Sequence, residues 1–146
     1  MADRVMEELD ENECLRLIGP GGIGRIAYTG RFGPAVLPVN YKLQHGAIVF
    51  RTAEHGPLDE DLRTGIADAE YNVAFEIDHL QPVTQEGWSV LVQGAAHFVD
   101  SEAELASIAG LGVEAWAGGP KEQFIRIIPR RVTGRRIRRT PETGAR

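Results

Sequence analysis

The strongest constraint in this sequence is the succession of its β-forming runs. Residues 23–28, 35–43 and 47–53 follow one another with only residues 29–34 and the triplet Gln44-His45-Gly46 between them. Connections this short join antiparallel neighbours, because a parallel pair needs a crossover of about a dozen residues or more. Two longer runs follow. Residues 73–80, VAFEIDHL, alternate Val73, Phe75 and Ile77 on one face with Glu76 and Asp78 on the other. Residues 88–99 are long enough to curve around a barrel, and Gly94 in their middle permits a bulge or sharp bend. The last strand covers residues 124–138, with a break near Pro129. Pro38 has no ladder donor, so the 35–43 strand has an edge or bulge there.

Helical segments punctuate these strands. Asp10, with Glu13 three residues on, caps a short helix over 10–18 that puts Cys14, Leu15, Leu17 and Ile18 on an apolar side. Pro57 suits a first helical position, and Leu58, Leu62 and Ile66 fall on one helix face. Asp59, Glu60 and Asp61 favour the positive end of that helix, and Gly65 frays its far end. Ser101 and Glu104 form a capping box ahead of Leu105, Ile108 and Leu111. The order is helix, three strands, helix, two strands, helix, strand. No regular βαβ unit occurs, so the expected class is mainly β: a small antiparallel barrel with peripheral helices.

At 146 residues the chain suffices for one domain, expected over residues 1–139, with 140–146 as a disordered tail. No stretch of 18 uncharged apolar residues is present, so no membrane partner is expected. The start, MADRVMEELDENE, has no apolar signal-peptide core. The single cysteine, Cys14, excludes a disulfide framework. These features suggest a soluble cytoplasmic protein.

Charge is segregated. Residues 1–13 hold six acids against Arg4, and residues 54–79 hold eight against Arg63. Arg126, Arg130, Arg131, Arg135, Arg136, Arg138 and Arg139 gather at the other end of the chain. In a protein of net charge −5 this is expected to be a half-exposed strand whose arginines pair with the acidic segments, not a nucleic-acid surface.

Catalytic motifs are few. His45, His55, His79 and His97 share no ligand spacing, so no metal site is expected. No G-x-S-x-G, Walker A or G-x-G-x-x-G pattern occurs. Arg51-Thr52 closes a strand ahead of a helix start, where a guanidinium fork, a hydroxyl and helix N–H groups suit phosphate; the alternative is an Arg paired with Glu54. Trp116, in a Gly-rich loop, either closes a ligand site or dimer interface or simply packs.

Taken as an ordered set, AVLPVNYKL–turn–IVFRTA, VAFEID, GWSVLVQGAAHFV and PKEQFIRIIPRRVTGRRI resemble the pyridoxamine 5′-phosphate oxidase-like flavoproteins, in particular their short actinobacterial branch. The resemblance spans about residues 11–138. It implies a six-stranded antiparallel split β-barrel with short helices, and a homodimer holding FMN in clefts at the subunit interface. It implies that Pro38, Val39, Asn40 and Tyr41 run along the flavin ring, largely through backbone groups. Phe50, Arg51, Thr52 and Ala53 would hold the ribityl phosphate. Trp88, Ser89 and Val90 would face the polar edge of the ring, and Trp116 and Lys121 would reach the partner's cofactor. The implied activity is a flavin-dependent oxidoreductase acting on a small-molecule redox substrate. A deazaflavin-dependent reductase of the same fold, or a barrel that binds flavin without turnover or has lost its ligand, are the alternatives. One departure bears on these. Close relatives continue R-T-A with a segment like P-G-S-K-L, whereas this chain reads Glu54-His55-Gly56-Pro57-Leu58. Pro57 replaces a phosphate-binding Lys, and losing one charge-assisted contact costs about 1.5–3 kcal/mol.

Overall fold

A computed structural model describes residues 3–53, 56–62, 71–113 and 123–140. Its elements are β1 (Arg4–Leu9), α1 (Glu11–Ile18), β2 (Gly22–Gly30), β3 (Gly33–Gln44), β4 (Ala47–Thr52), α2 (Pro57–Leu62), β5 (Tyr71–Gln81), β6 (Glu86–Val99), α3 (Glu102–Ala109) and β7 (Gln123–Arg139). All ladders are antiparallel. The sheet order β1-β7-β4-β3-β2-β5-β6, with β6 also pairing β7, closes six strands into a ring. These are the six strands expected from the sequence. A seventh, β1, adds to the outer edge of β7. Its residues, RVMEEL, are charged and largely exposed, and no apolar alternation marks them as a strand.

Local sequence explains the two capped helices. The Asp10 side chain accepts from the Glu13 N–H at 2.8 Å, and the Ser101 hydroxyl accepts from the Glu104 N–H at 3.1 Å, as the capping boxes require. α2 starts at Pro57 and buries Leu58 and Leu62; Ile66 and Gly65 lie outside the described residues.

Alternation sorts the strands into two faces. Ile26 and Tyr28 of β2, Phe75 and Ile77 of β5, Val90 and Val92 of β6 and Ile125 and Ile127 of β7 fill the barrel, with Phe50 of β4 and Cys14 and Ile18 of α1. Each large side chain buried here contributes roughly 1.5–3 kcal/mol. On the other face of β4, Val49 packs with Val99, Ile108 and Val113 beneath α3.

β7 closes the ring. Its first part pairs with β4 from Gln123 to Ile127, its length pairs with β6, and its last part pairs with β1 from Gly134 to Arg139. Curving through three partners requires a bend. Gln93 faces Arg131 but Gly94 faces Pro129, leaving Arg130 as the extra residue of a bulge. Gly94 is required there, because a Cβ would stand 2.1 Å from the Ile128 carbonyl oxygen. The break expected at Pro129 is thus a bulge within one continuous strand.

Two of the arginines, Arg136 and Arg138, pair with the acidic N-terminal segment as expected. Arg136 reaches Glu13 at 3.1 Å and Glu7 at 3.9 Å, and Arg138 reaches Glu7 at 3.4 Å. Arg126 pairs instead with Glu104 of α3 at 3.2 Å. Thr140 donates its N–H to the Asp3 carbonyl at 2.8 Å, and 141–146 lie outside the described residues. No helix among the described residues is long and apolar enough to cross a membrane.

Two outcomes test these arguments. Gly94→Ala has only backbone to push against, so we expect a loss near the upper end of about 1–3 kcal/mol in urea unfolding, without loss of the fold's circular dichroism at low temperature. Arg16 and Arg136 hold the Glu13 carboxyl at about 2, well below its ordinary value. A lowered native pKa stabilises above the ordinary carboxylate range and is lost as pH falls toward 2. Arg136→Gln removes part of that support, so acid unfolding should begin at a higher pH than in the wild type.

Candidate functional site

β4 is shorter than its neighbour, and that difference builds the site. β3 pairs with β2 from Gly33 to Tyr41, but β4 covers β3 only from Tyr41 to Gln44. Beyond Tyr41 the two strands part. Pro38 and Val39 therefore lie on a strand edge that no β4 residue covers, as expected from the missing donor at Pro38. Phe50 stands opposite Tyr41, and Arg51 and Thr52 follow at the point of divergence. The Tyr41–Phe50 pair thus joins the two segments, with Pro38, Val39 and Asn40 leading away on β3 and Arg51, Thr52 and then Ala53 leading away from β4.

Their side chains divide the work. Phe50 is fully buried and packs at 6.0 Å from Phe75, so only its backbone is available to a ligand. Tyr41 is also buried; its hydroxyl donates to the Ile18 carbonyl at 2.8 Å, tying α1 to the barrel. Burial pushes that phenol up to about 12, so it stays protonated at neutral pH. Arg51 lies with Val49 on the α3 side of β4. Its guanidinium carbon sits 5.4 Å from the Phe124 ring centre, and its Nη1 donates to the Val113 carbonyl at 3.4 Å. These contacts orient the half-buried guanidinium on the α3 side of the strand.

α2 is tied by its far end to the turn between β2 and β3. Arg31 Nε donates to Asp61 Oδ1 at 2.8 Å, and Asp61 also meets Tyr28, whose phenol is raised by burial and then by Asp61. The helix has six residues and an acidic first turn, Asp59 and Glu60, with Asp59 fully buried. Attraction for an anion here therefore falls to Arg51 rather than to the helix. Glu54 and His55 lie outside the described residues.

Trp88, Ser89 and Val90 sit on β6, with β2 and β5 between them and β3 in the sheet. Across β7, Arg51 is in line with Phe124 and Val99, at the opposite end of β6 from Trp88, Ser89 and Val90. Val90 belongs to the core, Trp88 packs against it, and Ser89 lines an outer groove. His79, opposite Trp88, stacks on its ring with centres 4.8 Å apart and planes 16° apart. Trp116 and Lys121 lie outside the described residues.

Sequence reasoning missed a second cluster, on the outer sheet face. Arg25 Nη1 lies 3.5 Å from Glu76 and 3.6 Å from Asp78. Glu76 Oε1 is buried and has no hydrogen-bond partner among the described residues. Burial first, then the hydrogen bond and charge of Asp78, push the Glu76 carboxyl up to about 7, against the pull of Arg25. The alternation of 73–80 assigned both acids to one face, but only the β2–β5 register brings Arg25 to them. Among the described residues no group of three or more His, Cys, Asp or Glu could hold a metal ion.

Comparison with known proteins bears on the family and the fold. A family model described as pyridoxamine 5′-phosphate oxidase matches residues 10–136. An uncharacterized protein of Mycobacterium tuberculosis is 35% identical over 134 residues, covering 92% of this chain and 87% of that one. The structure of an FAD binding protein from Mycobacterium smegmatis superposes with a TM-score of 0.75 at 32% identity, covering 90% of this chain and 98% of the other. An FAD-binding protein from Mesorhizobium loti shares the fold, with a TM-score of 0.71 at 19% identity, covering 93% and 99% of the two chains. The match across nearly the whole barrel shows that the chain belongs to the pyridoxamine 5′-phosphate oxidase family.

Proposed function

We propose that this protein binds FMN along the open edge of β3 and acts as a flavin-dependent oxidoreductase on a small-molecule redox substrate, with a second copy of the chain completing the cleft. The observation that carries the reading is the divergence of β4 from β3 at Tyr41, beside the divergent end bearing Arg51 and Thr52. A flat ring needs an uncovered edge of main-chain groups, and a phosphate needs a cation and a hydroxyl; the residues present fit both needs. Pro38, Val39, Asn40 and Tyr41 would flank the ring through their backbone. Arg51 would fork the phosphate, Thr52 would donate its hydroxyl, and Phe50 and Ala53 would contribute main-chain groups. When bound, the flavin supplies the electron transfer, and the protein supplies position and a dry, polar wall.

Several features support a site shared between two copies. Trp88, Ser89 and Val90 are separated from β3 by two strands, so in this reading they meet the cofactor from across the interface, Val90 through its backbone alone. Trp116 and Lys121 would join them. Pro57 stands at the helix start; the family resemblance implies a phosphate-binding Lys in this segment, so in this reading Arg51 is the principal cation for the phosphate. The flavin-binding relatives favour a flavin over a deazaflavin, and the solved neighbour at 32% identity is described as binding FAD, so FAD belongs beside FMN in any test.

The test is a fluorescence-quenching titration of apo-protein with FMN, FAD, riboflavin and a deazaflavin. We expect saturable binding of FMN, weaker binding of riboflavin, which lacks the phosphate, and at least a tenfold loss of FMN affinity in Arg51→Ala, about 1.5–3 kcal/mol for one charge-assisted contact. FMN binding that Arg51→Ala leaves unchanged would remove the phosphate assignment. Uptake of the deazaflavin alone would replace the cofactor.

A further inference from the structure

A second, smaller core lies beneath α3, on the opposite face of β4 from the barrel interior. Val49, Val99, Ile108 and Val113 fill it, with Leu105, Leu111 and Phe124 packed against them. Alternation along β4 puts Arg51 on this face with Val49, while Ile48 and Phe50 point into the barrel. Arg51 therefore stands at the end of β4, on the rim of this core.

Two contacts of Arg51 come from residues of the core. Register places Phe124 of β7 directly opposite Arg51, and Val99 of β6 directly opposite Phe124. Opposed residues share a sheet face, so the three side chains stand in one row. In that row the guanidinium carbon lies 5.4 Å from the centre of the Phe124 ring. The ring itself packs against the core that buried Val99 helps to fill. The second contact comes from Val113. Its side chain is buried in the core, and its carbonyl accepts from Arg51 Nη1 at 3.4 Å. The cover of the core is fastened as well. Arg126 of β7 reaches Glu104 of α3 at 3.2 Å, and Gln44 at the end of β3 donates to the Ser107 carbonyl at 3.0 Å.

We propose that Phe124 is a positioning residue for the phosphate site, its ring holding the Arg51 guanidinium at the end of β4 ready for a phosphomonoester. This rests on the reading of Arg51 as the phosphate cation and adds what places that cation. A long arginine side chain loses rotamer freedom when it grips an anion. An arginine already laid against an aromatic face has given up part of that freedom before the ligand arrives. The attraction belongs to the ring's electron-rich face, so an aliphatic side chain of similar bulk packs there without supplying it. The core beneath α3 thereby gains a role beyond packing, because it fixes the ring and the Val113 carbonyl together.

Fluorescence-quenching titrations of the full chain with FMN and riboflavin test this, since the two ligands differ only in the phosphate. Phe124→Leu should weaken FMN binding about three- to tenfold, the range of one cation–ring contact, and leave riboflavin binding unchanged. Phe124→Tyr, which restores the aromatic face, should bind FMN like the wild type. In an Arg51→Ala background, Phe124→Leu should cost nothing further, because the cation it places is gone. A purely packing role gives a different pattern: both ligands weaken together, and the loss persists without Arg51. That pattern, or FMN binding unmoved by Phe124→Leu while Arg51→Ala weakens it, overturns the inference and leaves the phosphate reading standing. FMN binding that Arg51→Ala leaves unchanged overturns both. Should Phe124→Leu lose its circular dichroism, Phe124→Met fills similar space without an aromatic face and is held to the same outcomes. NMR of the wild type adds a check that needs no variant. The ring current should displace the Arg51 Nε–H signal upfield, and a signal at the position of a solvated arginine overturns the inference.

Discussion

The closure of the ring by β7 is the constraint on which the rest depends. One strand of 17 residues pairs in turn with β4, β6 and β1, and no flat strand could reach all three. The bulge at Arg130 supplies the bend, and Gly94 supplies the space for it. Once β7 is bent, its first part holds β4 in place. Holding β4 there fixes where β4 ends, and the end of β4 is what opens the edge of β3. The candidate cofactor groove is thus a consequence of ring closure rather than a separate construction.

Electrostatics follows the same strand. Arginines on β7 find different partners according to the face they occupy. Arg126 and Arg136 are part-buried and meet carboxylates of α3 and α1, where they fasten helices to the barrel. Arg131 and Arg135 stand over the uncharged part of β6, and the acids that would complement them stand on β5. Exposed ion pairs contribute little to stability on their own.

Much of the fold was legible in the sequence because it is local. Short turns between β-forming runs, alternation in 73–80, and the capping pairs Asp10/Glu13 and Ser101/Glu104 each specify structure within a few residues. β1 was not legible: RVMEEL has no buried face, and it is a strand only because the outer edge of β7 is there to pair with it. The cluster of Arg25, Glu76 and Asp78 was hidden for a related reason, since it depends on register between strands some 50 residues apart. Of the candidate site, Pro38 and Arg51-Thr52 could be singled out from backbone chemistry and position. That Arg51 leans on Phe124 and Val113 depends on tertiary packing no spacing rule describes.

The central claim is the location of the cofactor, and amide NMR on addition of FMN tests it most directly. The account predicts that the largest shifts fall on residues 39–41 and 51–53, the two sides of the opening where β4 leaves β3. Shifts confined to the outer groove around Ser89 and Arg131, with residues 39–41 and 51–53 unmoved at saturation, would contradict it.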